Sequence, residues 1–297
     1  MTRQLTFRLA TLIVVALCGA SSVLAALNQK QARTAITKMA GMSLPSGAVR
    51  VTGVTSSGET SGEATAQLQL IFRATRDEAG LWRLREIRTG EARWDEIDLL
   101  AEAVKINSAG DHCHLKDEFE KFHPESDLTT KLARCLVAGF FEVSVPSDAV
   151  RIKSISSMGL GSQPSALVVA LLKADFKLTR DQAGWRVVEL RTGNRGWVNV
   201  DSVPANLDSL RAAKTSEELA VIASALDSYR RERGFFVVSD KHSVLIDHLN
   251  PRYLRRVIRL DKWQRPLHYQ GTQDHFTLRS LGPDGKENTP DDIVVSR

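Results

Sequence analysis

The strongest constraint in this chain is that its first two-thirds say the same thing twice. Leu44-Pro45-Ser46-Gly47-Ala48-Val49-Arg50-Val51 returns as Val145-Pro146-Ser147-Asp148-Ala149-Val150-Arg151-Ile152. Thr75-Arg76-Asp77-Glu78-Ala79-Gly80 returns as Thr179-Arg180-Asp181-Gln182-Ala183-Gly184. Trp82-Arg83, Arg88-Thr89-Gly90 and Trp94 return as Trp185-Arg186, Arg191-Thr192-Gly193 and Trp197. Order and spacing are kept, so whatever one copy folds into, the other must be able to fold into as well.

Each copy reads as a helix on an antiparallel meander. Helical stretches are expected over 27–42 and 128–141, followed by strands at 49–54 and 150–155. Longer strands are expected over 64–75 and 166–179, where Gln67-Leu68-Gln69-Leu70 alternates with the period of a half-buried strand. The Asp-Glu-Ala-Gly and Asp-Gln-Ala-Gly tetrapeptides are turn signals, and return strands follow at 81–88 and 185–191. Copy one closes with an expected helix over 94–106. This predicts an α+β chain with modules at 26–107 and 127–205, joined by a polar linker at 108–126, and a boundary near Pro204 before a domain at 206–297.

The repeated tryptophans, Trp82/Trp185 and Trp94/Trp197, have two readings. They could form an exposed aromatic binding face, or they could anchor helix to sheet in the core, which their regular return favours. Alternation turns Arg83/Arg186 and Arg88/Arg191 outward as a solvated sheet face, with an anion-binding strip as the alternative.

The N-terminus has the layout of a secretory signal: Arg3 and Arg8, an apolar run from Leu9 to Leu17, and Val23-Leu24-Ala25 before cleavage at Ala26. The run is short for a bilayer span, which needs about 20 residues. Retention as an anchor and lipidation at Cys18 are the alternatives; the latter lacks the small residue expected where Leu17 stands. This implies a periplasmic or extracellular protein. Cleavage takes two of the 40 basic residues, so the balance against 35 acidic residues falls from +5 to +3, too little to argue for nucleic acid. It also leaves two cysteines, Cys113 and Cys135, which an oxidising compartment favours as a disulfide. Free buried thiols, or a metal held by His112-Cys113-His114 and His123, are the other readings.

Beyond Leu207 the pattern turns helical. Leu219, Ile222, Leu226 and Tyr229 share one helix face. Thr215 with Glu218 resembles a capping box and sets an expected start, and Gly234 an expected end. Then come Asp261-x-Trp263-x-x-Pro266-x-x-Tyr269, Phe276, Ser280-Leu281-Gly282-x-Asp284-Gly285 and Asp291-Asp292-Ile293. This order of motifs resembles the C-terminal domain of the major pseudopilin (protein G) of type II secretion.

The resemblance implies a pseudopilin-like α+β domain that binds Ca2+ in its last loop. The residues suit such a site: Asp284, Asp291 and Asp292 offer carboxylates, Leu281 a carbonyl, and Gly285 a turn. Soluble surface aspartates are the plainer reading, and the loop lacks EF-hand spacing. The resemblance stops short of a filament subunit. No Glu follows the leader, the apolar run lies before Gly19, and Gln264 stands where the family carries Gly in Trp-Gly-x-Pro.

Arg252, Arg255, Arg256 and Arg259 fall at helical spacing, so a basic face for anionic lipid or an acidic partner is one reading and a solvated face the other. No G-x-S-x-G, H-E-x-x-H or phosphate loop occurs. The expectation is a non-enzymatic, exported interaction protein with a protein partner in the cell envelope, or an accessory of a type II secretion or pilus-like assembly.

Overall fold

The computed structural model describes residues 26–104, 127–143, 148–158, 164–193 and 195–297. The signal segment, the linker at 108–126, Cys113, His112, His114 and His123 all lie outside the described residues. The fold is α+β.

Each copy supplies the same elements in the same order. Copy one gives α1 (Gln29–Thr37), β1 (Val49–Ser56), β2 (Ser61–Arg76), β3 (Trp82–Arg88), β4 (Trp94–Glu96) and α2 (Ile97–Ala103). Copy two gives α3 (Thr130–Phe140), β5 (Val150–Met158), β6 (Ser165–Asp181), β7 (Gly184–Thr192) and β8 (Val198–Asn199). Both leading helices are capped by side chains. Asn28 and Gln31 form a reciprocal capping box, and Thr129 accepts a hydrogen bond from Leu132 N at 3.2 Å.

The copies share one sheet and one core. β2 and β6 run antiparallel side by side, from Ser61 opposite Thr179 to Thr75 opposite Ser165. The far edge of β2 is divided between β1 along its first half and β3 along its second. β6 divides its far edge in the same way between β5 and β7. Bulges recur at matching places, at Val51/Gly53 and Ile152/Ser154 on one side, and at Arg73/Ala74 and Lys177/Leu178 on the other. Leu68 pairs with its own counterpart Leu172, so an internal two-fold axis passes between them. The even-numbered residues of β2 and β6 face inward and pack with Ile36 of α1 and Leu132 and Val137 of α3 in a single cluster. Pairing the two longest strands leaves each with its partner along its whole length and exposes neither as an edge.

Three local expectations are corrected. The closing helix of copy one starts at Ile97, because Trp94 is held on β4 opposite Arg88, under the Arg73 guanidinium at 4.5 Å from its ring. Its counterpart Trp197 lies beneath Lys177 and Arg191 at 4.4 and 4.6 Å. Trp82 is buried in the core and Trp185 is half-buried and packed against it, whereas Trp94 and Trp197 are half-buried and lie outside it, so core anchoring holds for one repeat-equivalent pair of the two. The C-terminal helix, α4, is a single run from Val203 to Arg233, far longer than a start at Thr215 allows. Thr215 sits inside that helix, fully buried, and its hydroxyl accepts a hydrogen bond from Lys262 N at 3.1 Å.

The first turns of α4 are the counterpart of α2. The two helices pack through Leu99, Ala103, Val203 and Leu207, and Asn206 donates to the Ala103 carbonyl at 3.2 Å. The second half of α4 belongs to another core. Leu219, Ile222 and Leu226 are fully buried there against α5 (His242–Leu249) and the sheet β9 (His268–Gly271), β10 (Phe276–Ser280) and β11 (Ile293–Ser296).

One helix thus joins two cores, and a polar cluster holds the junction. Arg211 of α4 donates to the Asp95 carboxylate of β4 and to Asp208 at 3.0 Å. Trp263 Nε1 donates to Asp208 at 2.9 Å. Lys262 reaches Glu96 at 2.8 Å and Glu218 at 3.1 Å. Burial works against the Lys262 charge, yet its bonds to these two carboxylates outweigh it and raise its pKa. Of the described residues, no helix is long and apolar enough to cross a membrane.

Candidate functional site

The last loop is assembled from two turns that grip one another. The first, 261–265, is organised by Asp261, which is 2% exposed. Its Oδ1 accepts from the backbone N–H groups of Trp263 and Arg265, both at 2.9 Å, and its Oδ2 from Ser280 Oγ at 2.6 Å. A buried carboxylate with three donors satisfies its own desolvation demand and fixes the turn to β10. Gln264 takes φ 65, the left-handed region where glycine is strain-free. This is the position at which the sequence departs from Trp-Gly-x-Pro.

Arg265 leaves that turn and holds the second one. Its guanidinium donates to the carbonyls of Gly282 and of Pro283, the latter at 2.9 Å. Gly282 has φ 59, and a Cβ there would overlap the Asp291 carbonyl. Gly285 has φ 69, and a Cβ there would stand 2.9 Å from the Arg265 guanidinium. The Ser-Leu-Gly-x-Asp-Gly motif therefore has a steric basis.

The structure brings Asp284, Asp291 and Asp292 together around the Thr289 hydroxyl. Thr289 Oγ1 lies 2.7 Å from Asp291 Oδ1, 3.4 Å from Asp284 Oδ1, 3.5 Å from Asp292 Oδ1 and 3.1 Å from the Lys286 carbonyl. Backbone N–H groups also donate to all three carboxylates. Asp291 Oδ2 takes Asp284 N at 3.0 Å, Asp292 Oδ2 takes Asn288 N at 2.9 Å, and Asp284 Oδ1 also takes Lys286 N at 2.8 Å. The Thr289 hydroxyl bond, and then the Asp284 backbone bond, hold the Asp291 carboxyl below the ordinary carboxylate pKa. Arg279 stands 3.6 Å from Asp292. The Leu281 carbonyl accepts Gly285 N at 3.1 Å, so it closes the turn.

These are all oxygen donors, the chemistry a hard cation such as calcium takes. Among the described residues, however, no three His, Cys, Asp or Glu side chains stand close enough to hold a metal by themselves. Thr289 and the Lys286 carbonyl were not singled out from sequence. A hydroxyl two residues before an Asp-Asp pair is the signal that could have found them.

Other expected features fall elsewhere. Residues 251–260 are turn and coil, not helix, so Arg252, Arg255, Arg256 and Arg259 make no helical basic face. Arg252 pairs with Glu232 and Arg256 with Glu218, each at 2.7 Å. Arg83 and Arg186 do point outward, paired with Asp77 and with Asp181 and Asp201. Cys135 is buried on α3.

Residues 202–296 match the family model of the type II secretion system (T2SS), protein G. The match begins at the first turn of α4, takes in both turns of the last loop and ends at β11. The C-terminal region is thus protein G-like, as the motifs from Asp261 to Ile293 led us to expect. No curated protein and no solved structure matches the chain. The family match covers about a third of the chain; the repeated strands and their leading helices lie outside it.

Proposed function

We propose that this chain is an exported, non-enzymatic interaction protein whose protein G-like domain is stabilised by calcium. The observation that carries this reading is the convergence of Asp284, Asp291 and Asp292 on Thr289 Oγ1, within the segment that matches protein G. Asp284, Asp291 and Asp292 would supply carboxylates, and Leu281 its carbonyl. Bound calcium would neutralise three like charges crowded into one loop and tie the β10–β11 connection to the turn at Asp261. The signal-like N-terminus supports a periplasmic or extracellular location and, with it, a Cys113–Cys135 disulfide. We infer a protein partner in the cell envelope; membrane contact would be peripheral, and nucleic acid is disfavoured by the small net charge.

Calcium titration of the full chain, followed by calorimetry and thermal unfolding, tests the site. Saturable binding is expected, with stabilisation of about 2.7 kcal/mol at a calcium concentration 100 times Kd. Asp291→Ala/Asp292→Ala should abolish both. Unchanged stability and no heat of binding would sink the assignment.

A second reading rests on the family match alone: the chain is an accessory of a type II secretion or pilus-like assembly. Cross-linking in intact envelopes separates the two, since only the accessory role places secretion components among the products.

A further inference from the structure

Among the described residues, the shared core of the duplicated domain does not close. A cavity of about 200 Å3 lies over the centre of the β2–β6 pair, between the C-terminal ends of α1 and α3 and the first turns of α4. Protein interiors leave few voids larger than a water molecule. An apolar cavity of about 150 Å3 stays dry and takes up benzene, and this one is larger. Its mouth lies beside Gly41 and Arg93, both exposed.

The wall is built twice. The internal two-fold axis passes between Leu68 and Leu172, which form the floor. Matching positions of the two copies then face one another across it: Met39, just past the end of α1, and Phe140 at the end of α3, with Leu100 and Val203 from the closing helices. The polar groups at one end are occupied already. Asp95 is held by Thr89 and Arg211, Arg93 Nε donates to Thr89 Oγ1 at 2.9 Å, and Thr192 Oγ1 donates to the Phe141 carbonyl at 2.9 Å. Arg195 pairs with Glu142 and Asp208 with Arg211, so among the described residues no charged group lining the cavity lacks a partner to call for a charged ligand.

We propose that the duplicated domain binds a small neutral apolar molecule, a single ring or a short hydrocarbon chain, in this cavity. The proposal is independent of the calcium reading, since the cavity and the last loop belong to different cores.

The test uses the full chain with toluene and n-hexane as probes. Each should shift the Met39 and Met42 methyl resonances saturably, and probe at about 100 times Kd should raise Tm by about 5–10 °C. Ala174→Leu, which adds volume from the buried floor, should fold and lose both responses; Leu70→Phe fills from the opposite copy and serves if the first variant does not fold. The proposal is overturned if neither probe gives a saturable methyl shift in the parent chain, or if the shift persists in the filled variants. Binding of decanoate with no binding of toluene or hexane would overturn the neutral character of the ligand.

Discussion

Replacing Arg211 by Met should destabilise the whole chain, and most of the loss should disappear when Asp95 is replaced as well. Arg211 and Asp95 are 9% and 5% exposed, and they tie α4 to β4 across 116 residues of sequence. Breaking a buried ion pair by deleting one partner costs about 3–5 kcal/mol, because the survivor keeps its desolvation cost and loses its attraction. Here Asp95 would retain the Thr89 hydroxyl and Arg93 at 3.4 Å, so the lower end applies, about 3 kcal/mol. For a chain of this size that corresponds to a fall in Tm of about 6–12 °C. Asp95→Leu combined with Arg211→Met removes both charges and should recover all but about 1 kcal/mol, the cost of leaving Thr89 without its acceptor. Urea unfolding of the parent, both single variants and the double variant completes the cycle; the coupling should exceed about 2 kcal/mol, the difference between Arg211→Met and the double variant, by whatever Asp95→Leu costs alone. If Arg211→Met lies within about 0.5 kcal/mol of the parent, or if the two losses simply add, the pair does not hold the junction and the reasoning fails.

Other outcomes follow from single positions. Gln264→Gly relieves a left-handed residue and should raise stability by about 0.5–1 kcal/mol in urea melts; a loss would show that the Gln264 side chain matters more than its backbone. Gly282→Ala must displace Asp291 and should cost about 2–4 kcal/mol, with weakened calcium binding by calorimetry if the last loop is the metal site. Burial, then the nearby charges of Arg259 and His268, lowers the His242 pKa from 6.5 to about 4. The folded state therefore binds fewer protons than the unfolded one between these values, so the contribution is complete above pH 6.5 and is lost as pH falls toward 4. Because the ring is partly solvated, we expect about 1–2 kcal/mol, and His242→Leu should flatten the stability–pH curve over that window.

How far the sequence carries differs from element to element. The alternation in Gln67–Leu70 placed Leu68 and Leu70 on the inner face, and the long strands extend only a few residues past their expected ends. Capping was the weaker guide. Thr215 with Glu218 has the spacing of a helix start, yet its hydroxyl serves Lys262 N and its carboxylate partner serves Lys262 and Arg256. Helical spacing of Arg252 to Arg259 misled as well: Leu254 and Ile258 reach the second core from turn and coil, so spacing in this segment did not report a helix.

In the last loop the three aspartates stood out through the resemblance to protein G, since by themselves they read as soluble surface aspartates. Thr289 was not, since a lone hydroxyl has no periodic signal. Its role depends on a loop closure set by Arg265 and Gly282.

The duplication, the inner faces of the long strands and the order of motifs in the C-terminal region were determined by the sequence, because each rests on local spacing that a chain carries wherever it goes. Tertiary structure alone decided that the two copies join edge to edge into one sheet, that α2 has its counterpart in the first turns of α4, and that a cavity opens over their common axis. These follow from pairing between residues more than a hundred positions apart, as Leu68 with Leu172 and Asp95 with Arg211. Such partners are chosen by backbone hydrogen bonds left open at a strand edge and by the burial of facing side chains, and neither leaves a periodic mark on the residues between them.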